Sequence, residues 1–308
     1  MAIDFQGRVA IVTGAGSGLG RSHALALAAR GAKVVVNDLG GAVDGTGGSA
    51  KAADQVVAEI KALTTTHGGR GEAVANHDSV SDAAGAARIV QSATDAWGRV
   101  DVLVNNAGIL RDKSFAKMEV TDFDTVVDVH LLGSAYVTKA AWPVMQAQNY
   151  GRVVMTTSAA GLYGNFGQTN YAAAKLGLVG LMNALKQEGA KNGILVNTIA
   201  PVAATRMTEA LFPPALLPHL KPEFITAAVV YLCAESCASS GDIVSAGAGV
   251  YAKAQMVESD GVFFGAGAEV TPDMIAESYA KIADMSKARP YGAAMEEVAK
   301  IFGFFQKN

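Results

Sequence analysis

The feature that most constrains this 308-residue chain lies near its start. The apolar run Val9-Ala-Ile-Val12 passes directly into Thr13-Gly-Ala-Gly-Ser-Gly-Leu-Gly20 and then into the helix-forming Arg21-Ser-His-Ala-Leu-Ala-Leu-Ala-Ala-Arg30. A strand, a glycine turn and a helix in immediate succession leave few folds open. Gly14, Gly18 and Gly20 let the backbone turn tightly and approach a pyrophosphate, while the helix amino terminus offers unpaired N–H groups and a favourable dipole. Gly31 ends the helix as a cap. A second apolar run, Lys33-Val-Val-Val-Asn37, then leads into Asp38, roughly 20 residues after the loop, where a carboxylate meets an adenosine ribose. The plainer reading makes Asp38 a turn residue before the glycine-rich Gly40-to-Ser49 stretch, whose composition indicates a mobile loop.

The same alternation continues. Gly71-Glu-Ala-Val-Ala-Asn76, Val100-Asp-Val-Leu-Val-Asn105, Gly151-Arg-Val-Val-Met155 and Ile194-Leu-Val-Asn-Thr198 read as strands between helical segments, with a last strand around Gly241-Asp-Ile-Val-Ser245. This pattern predicts an α/β fold, a Rossmann-like doubly wound parallel sheet with helices on both faces. Half of the residues are hydrophobic, enough for one large core. Residues 1–255 are expected to form a dinucleotide-binding catalytic domain. Thr271-Pro272-Asp273 caps an added helix carrying Met274, Ile275, Tyr279 and Ile282, and a further helix begins near Tyr291. Residues 256–308 thus form a helical extension, expected to pack on the same domain or a partner subunit.

A second constellation concerns proton transfer. In Asn170-Tyr-Ala-Ala-Ala-Lys175 a helix would put the Tyr171 phenol and the Lys175 amine one turn apart on one face. Such a pair alone is commonly a surface tyrosine beside a solvated lysine. Ser158, however, closes the strand-like Arg152-Val-Val-Met-Thr-Thr-Ser158, at the carboxyl end where open parallel sheets bind ligands. Bringing a phenol from a pKa of about 10 to near 7 takes roughly 4 kcal/mol of preferential phenolate stabilisation, part of which a nearby cation supplies.

Thr13-Gly-(x)3-Gly-x-Gly20, Asn105-Asn-Ala-Gly108, Ser158 and Tyr171-(x)3-Lys175 together resemble the short-chain dehydrogenase/reductase family, in order and spacing, over roughly residues 5–250. Val36-Asn-Asp-Leu-Gly-Gly41, Asn106-Ala-Gly-Ile-Leu-Arg-Asp112, Val129-His-Leu-Leu-Gly133 and Tyr163-Gly-Asn-Phe-Gly-Gln168 look like its (3R)-hydroxyacyl-CoA dehydrogenase branch. The resemblance implies an oxidoreductase that uses NAD, with Tyr171 as acid/base, Ser158 orienting the substrate oxygen, and Lys175 binding the nicotinamide ribose while lowering the tyrosine pKa. It implies cofactor contacts from Gly14, Ser17, Gly18, Leu19, Gly20 and Asp38, from Asp78 and Ser79 at the adenine edge, and from Asn105, Ala107 and Gly108. Thr205 would face the carboxamide, although Pro201-Val-Ala-Ala204 departs from the family's usual Pro-Gly.

His130 is the main departure, because the wider family commonly has asparagine there, bending a helix and holding a water that leads to the lysine. The hydroxyacyl-CoA branch shares the histidine, which reads either as catalytic or as a satisfied core residue. Tyr163, Asn165, Phe166 and Gln168 should border a small-molecule substrate, an acyl-CoA thioester by resemblance, and the apolar Arg206-to-Pro222 segment resembles a lid. A steroid or other alcohol is the competing substrate. An inert dinucleotide-sensing or scaffolding protein would show a broken Ser-Tyr-Lys set, and this set is whole. Family members pair through the helices carrying Tyr171 and following His130, so a homodimer or larger homo-oligomer is expected, with Ala172, Ala173, Ala174 and Gly177 permitting close approach.

Other classes are disfavoured. A net charge of -3 without a basic block lacks the footprint of a nucleic-acid binder. No leader-like opening and no apolar run of about 18 residues occurs, so a soluble, cytoplasmic protein without membrane partners is expected. Cys233 and Cys237, four apart in an apolar helical run, read as packing rather than as a disulfide or metal site.

Overall fold

The computed structural model describes residues 2–66, 71–204 and 213–305. They form two compact units that divide between Lys253 and Ala254. The first is built on a sheet of β1 (Val9–Thr13), β2 (Lys33–Asn37), β3 (Glu72–Asn76), β4 (Val102–Asn105), β5 (Gly151–Thr156), β6 (Ile194–Val202), β7 (Ile243–Gly247) and β8 (Val250–Ala254). Their spatial order is β3-β2-β1-β4-β5-β6-β7-β8, and every pair from β3 to β7 is parallel. The chain moves outward from β1 in one direction and then from β4 in the other. Order therefore reverses between β1 and β4, and the crevice at their carboxyl ends is where such sheets hold ligands.

Continuous burial of β1, β4 and β5 follows from helices covering both faces. The helices are α1 (Gly18–Ala29), α2 (Lys51–Thr66), α3 (Ala83–Trp97), α4 (Val120–Val127), α5 (Gly133–Gln148), α6 (Ala159–Tyr163), α7 (Thr169–Gly189) and α8 (Pro222–Cys233). Side-chain chemistry sets several boundaries. Asp82 caps α3 by accepting from the amides of Ala84 and Gly85, and Gly98 ends it with φ 73°. β4 starts at Val102 rather than Val100, just after the buried Asp101 carboxylate. That carboxylate accepts from the Val9 amide at 2.8 Å and pairs with Arg8 and Arg99 at 3.1 and 2.6 Å. β8 was not expected from the sequence. It turns back after β7 through Ala248 and Gly249, with φ of 50° and 80°, a two-residue reversal of the kind that joins antiparallel strands.

Both cysteines are buried and unpaired, as the sequence implied. Among the described residues no helix is long and apolar enough to cross a membrane, and no cluster of ligating side chains could hold a metal ion. In the second unit, Thr271 caps α9 (Pro272–Ile282), and α10 (Ala294–Phe305) is tied to its own unit by Lys300, which donates to Glu258 at 2.7 Å. Phe263 packs on Phe304 and Phe305.

Helices α1 and α8 are clasped through His23, whose Nδ1 lies 2.8 Å from the Thr226 hydroxyl, which in turn donates to Ser22 at 2.7 Å. Full burial pushes His23 down to about 3, so the ring is neutral in the fold. An unfolded histidine titrates near 6.5, so between about 6.5 and 3 the unfolded state binds the extra proton and stability falls as pH falls. Replacing His23 with Gln should flatten this part of the stability–pH curve in urea unfolding. An unchanged slope would contradict it.

Candidate functional site

The glycine loop is fixed from the neighbouring strand. Asn106, just past β4, donates from Nδ2 to the carbonyls of Thr13 and Gly14 at 3.0 and 3.1 Å, while the Thr13 hydroxyl accepts from the amides of Asn106 and Ala107 at 3.0 and 3.1 Å. The approach leaves no room for a side chain. A Cβ at Gly14, where φ is +61°, would sit 2.8 Å from Ala107 Cα, and one at Gly20 would drive into the Gly14 carbonyl. The result is an open cradle over the start of α1, at the switch point of the sheet.

Asp38 closes the next side. One carboxylate oxygen accepts from the Gly16 amide at 2.7 Å and the other from the Gly40 amide at 2.6 Å, which holds the group in place and leaves lone pairs free to accept from a diol. Gly14 and Asp38 line a cavity of about 300 Å³ together with Ser17, Gly18, Leu19, Asp78, Ser79, Ala107 and Gly108, whereas Gly20, packed against the Gly14 carbonyl, is not among its lining residues. No lysine or arginine is among its described lining residues. Asp78 is set by Arg88 at 2.7 Å and Asn76 at 2.9 Å. The Gly40-to-Ser49 stretch, read from its composition as a loop, makes hydrogen bonds to the segment after β4. The carbonyls of Val43 and Asp44 accept from the Leu110 amide and Arg111 Nε, both at 2.9 Å, and Val43 and Gly45 wall the cavity.

A second cavity of about 390 Å³ adjoins the first, sharing Leu19, Asn106 and Gly108. Ser158, Tyr171, Lys175 and His130 all line it. β5 stops at Thr156, short of the expected Ser158, which instead caps α6 by accepting from the Ala160 amide at 3.1 Å, and its hydroxyl meets the phenol and amine of α7 there. Lys175 is buried, and its Nζ donates to the Thr156 carbonyl at 2.5 Å and lies 5.4 Å from the centre of the Tyr171 ring. Burial lowers its pKa to about 7. Burial also pushes the Tyr171 phenol above its ordinary value; a hydrogen bond with Ser158 opposes this and the Asp112 charge adds to it. The sequence implied that Lys175 lowers the tyrosine. In the structure the hydrogen bond with Ser158 is what opposes the rise that burial causes.

His130 sits in a π-helical turn, Asp128–Leu132, between α4 and α5. Its Nε2 lies 3.0 Å from the Ile109 amide and 2.8 Å from the Ile109 carbonyl, and its ring meets Tyr171 edge-on at 5.1 Å. Burial, followed by the Lys175 charge, holds it well below its usual pKa against the Ile109 hydrogen bond. A neutral ring whose Nδ1 has no partner among the described residues is both packed in the core and turned to the cavity.

His130 is thus buried with one ring nitrogen bonded to Ile109 and the other unpartnered among the described residues. Not every expected residue reaches the cavities. Asn105 is buried and donates to Thr138 at 2.9 Å, lining neither cavity. Its neighbour Asn106, in the same motif, takes the position, since alternate strand residues face opposite ways. Thr205, and the expected lid over its residues 206–212, lie outside the described residues. Tyr163, Asn165 and Gln168 line the second cavity; Phe166 is exposed and does not. Asp112 and Asn170 were not singled out as site residues. Asn170 is fully buried and donates to the carbonyls of Arg111 and Asp122 while accepting from the Tyr171 amide at 2.7 Å.

Asp112 offers a test. Because its charge opposes ionisation of Tyr171, Asp112→Asn should move the tyrosinate midpoint to lower pH, read by ultraviolet difference spectra against Tyr171→Phe. A rise, or no movement, would contradict the placement.

Comparison with known proteins agrees with this geometry. The short chain dehydrogenase family model matches residues 8–215. A short-chain type dehydrogenase/reductase of Mycobacterium tuberculosis is 52% identical over 287 residues, covering 93% of this chain and 98% of that protein. Peroxisomal multifunctional enzyme type 2 of Drosophila melanogaster is 48% identical over 305 residues, 98% of this chain and 50% of its own length. The full-length structure of that enzyme superposes with TM-score 0.83 at 43% identity, covering 99% of this chain and 50% of the other. A 7α-hydroxysteroid dehydrogenase complexed with NADH and 7-oxo glycochenodeoxycholic acid superposes with TM-score 0.70 at 28% identity, over 80% of this chain and 95% of the other. The chain thus spans about half the length of the Drosophila relative. The peroxisomal name of that relative lends the cytoplasmic expectation no support.

Proposed function

Because the chain belongs to the short-chain dehydrogenase/reductase family, we propose that it binds NAD in the cavity walled by Asp38 and oxidises (3R)-3-hydroxyacyl-CoA thioesters to 3-oxoacyl-CoA in the adjoining one. The carrying observation is that Ser158, Tyr171 and Lys175 converge in a cavity continuous with the one that holds the carboxylate and glycine cradle. NAD bound there would supply an acceptor for the hydride of the carbinol carbon. The chain's own groups handle the proton. Tyr171 as phenolate takes it from the substrate hydroxyl, and Ser158 donates a hydrogen bond that orients that oxygen. A phenolate beside Lys175 favours the ammonium form, and the ammonium favours the phenolate, so the two titrate as a coupled pair. His130, neutral and edge-on to the phenol, positions Tyr171 and remains uncharged through the cycle.

The cofactor cradle fits a dinucleotide on its own terms. Asp38 accepts from a ribose diol and repels a 2′-phosphate, and no cation among the described lining residues offsets that repulsion. A steroid alcohol is the competing substrate, favoured by the likeness to the hydroxysteroid enzyme. The helices α5 and α7 are proposed to form a homodimer face. On α7, Ala174 is buried and a Cβ at Gly177 would press on Leu131, so the exposed Ala173, Leu176 and Gly180 would carry the contact instead. The extension from residue 256 is proposed to pack on the catalytic domain or a partner subunit.

With a medium-chain substrate, the 3R epimer should be oxidised and the 3S epimer hardly at all, since exchange of hydrogen and hydroxyl misplaces the reacting carbon and about 1 Å of misplacement costs on the order of 100-fold. Equal rates, or turnover of a steroid alone, would overturn the substrate. In the same assay Tyr171→Phe should lose about 100- to 10,000-fold, and near-normal activity would refute the acid/base assignment. kcat/KM should favour NAD over NADP; parity would sink the role of Asp38. Light scattering should find a dimer or larger assembly, and monomer alone would count against the helix face.

A further inference from the structure

The substrate cavity has a polar rim as well as a catalytic floor, and the rim has a direction. Asp112 Oδ2 accepts from Gln168 Nε2 at 2.7 Å, and Gln168 Oε1 accepts from Asn165 Nδ2 at 2.8 Å. A carboxylate only accepts. Gln168 must therefore turn its amide nitrogen toward Asp112 and its oxygen toward Asn165. Asn165 must in turn give its nitrogen to Gln168. The remaining group is the Asn165 carbonyl oxygen, which has no partner among the described residues and belongs to a side chain that lines the cavity.

The frame beneath this chain is rigid. Gln168 is buried, the Lys113 amide donates to the Gly167 carbonyl at 2.9 Å, and Asn170 Nδ2 donates to the Arg111 carbonyl at 3.1 Å. Residues 111–113 are thus fastened to residues 165–170 on both sides of the polar relay. The two segments are far apart in sequence, and the Asp112 carboxylate, besides its charge on Tyr171, fixes which end of each amide faces where.

We propose that Asn165 is a substrate-specificity residue for the reaction assigned above, presenting its carbonyl oxygen to an amide N–H on the thioester arm, and that Asp112 is the positioning residue that sets its polarity. This rests on the hydroxyacyl-CoA reading. The chemistry matches that arm: in coenzyme A the first amide N–H follows the thioester sulfur after two methylenes, close enough to the carbinol to reach the rim while the hydroxyl meets Ser158 and Tyr171. An acyl chain has no N–H to offer, so the acceptor also distinguishes which arm lies on this side. A neutral amide acceptor suits a neutral amide donor, and the anion that aligns it stays one relay away from the thioester.

The test compares two substrates with the same (3R)-3-hydroxybutyryl centre, the N-acetylcysteamine thioester, which keeps the amide, and the ethyl thioester, which lacks it. The quantity read is the ratio of their kcat/KM values. Asn165→Leu should reduce the ratio about tenfold, the worth of one hydrogen bond, with the change in KM rather than kcat. Asp112→Leu should reduce it similarly. The double variant should lose about tenfold in all rather than a hundredfold, because both changes break one relay. Asp112→Asn, which keeps an acceptor for Gln168 but can also donate and so fixes the polarity less firmly, should restore the ratio in part. Equal losses on both thioesters, additive effects in the double variant, or no rescue by Asp112→Asn would each overturn the proposal. Failure of the unaltered protein to oxidise either thioester would overturn the functional reading itself and this inference with it, an outcome distinct from all the others.

Discussion

The site depends on the burial of one amine. Lys175 is removed from water between α7 and the end of β5, and the environment answers with a carbonyl, Thr156 O, rather than a carboxylate. Removing an ammonium from water is costly unless it is paired, and the consequence is a pKa near 7. Such a group responds to what is placed beside it. A phenolate or an accepting ribose hydroxyl stabilises the charged form, so the proposed activation of Tyr171 becomes tied to occupation of the site. A carboxylate partner would have fixed the ammonium permanently and severed that link.

The remaining groups serve this arrangement from different directions. The Asn106 clasp draws the glycine loop against the end of β4, and Asn106 lines both adjoining cavities. Gly108 leaves room for the His130 ring, since a Cβ there would collide with it. The π-helical turn then carries that ring to the Tyr171 edge. Asn170 joins the amino end of α7 to the carbonyls of Arg111 and Asp122, and Arg111 in turn donates to the Asp44 carbonyl of the loop that walls the other cavity. A continuous set of hydrogen bonds therefore runs from the nucleotide side to the catalytic helix.

Much of this was legible in the sequence, for identifiable reasons. Buried parallel strands such as Val9–Thr13 and Lys33–Asn37 read as continuous apolar runs, and glycine at positions of close backbone approach is hard to mistake. The Ser158, Tyr171 and Lys175 set was visible through strand-end and helical spacing. Less visible was anything decided by contacts distant in sequence. Asn105 and Asn106 are indistinguishable as letters, and only strand parity separates the inward from the outward one. The glycine-rich Gly40-to-Ser49 stretch looked mobile because composition does not record that Leu110 and Arg111 hold it. Asp112 was legible only as the end of the Asn106-to-Asp112 motif and not as a site residue, since its role lies in a hydrogen bond to Gln168, 56 positions away. Spacing likewise shows that a cation is near Tyr171, but not that burial lowers the pKa of that cation itself.

The central claim is that the two cavities form a single site in which a hydride leaves the carbinol carbon directly for the cofactor while the chain manages the proton. Its most direct test is isotopic. With (3R)-3-hydroxyacyl-CoA deuterated at C3 and unlabelled NAD, magnetic resonance of the reduced cofactor should show deuterium at C4 of the nicotinamide on one face only, with kcat/KM lowered relative to the unlabelled substrate. Recovery of that deuterium in solvent, or an even distribution over both faces, would contradict the account.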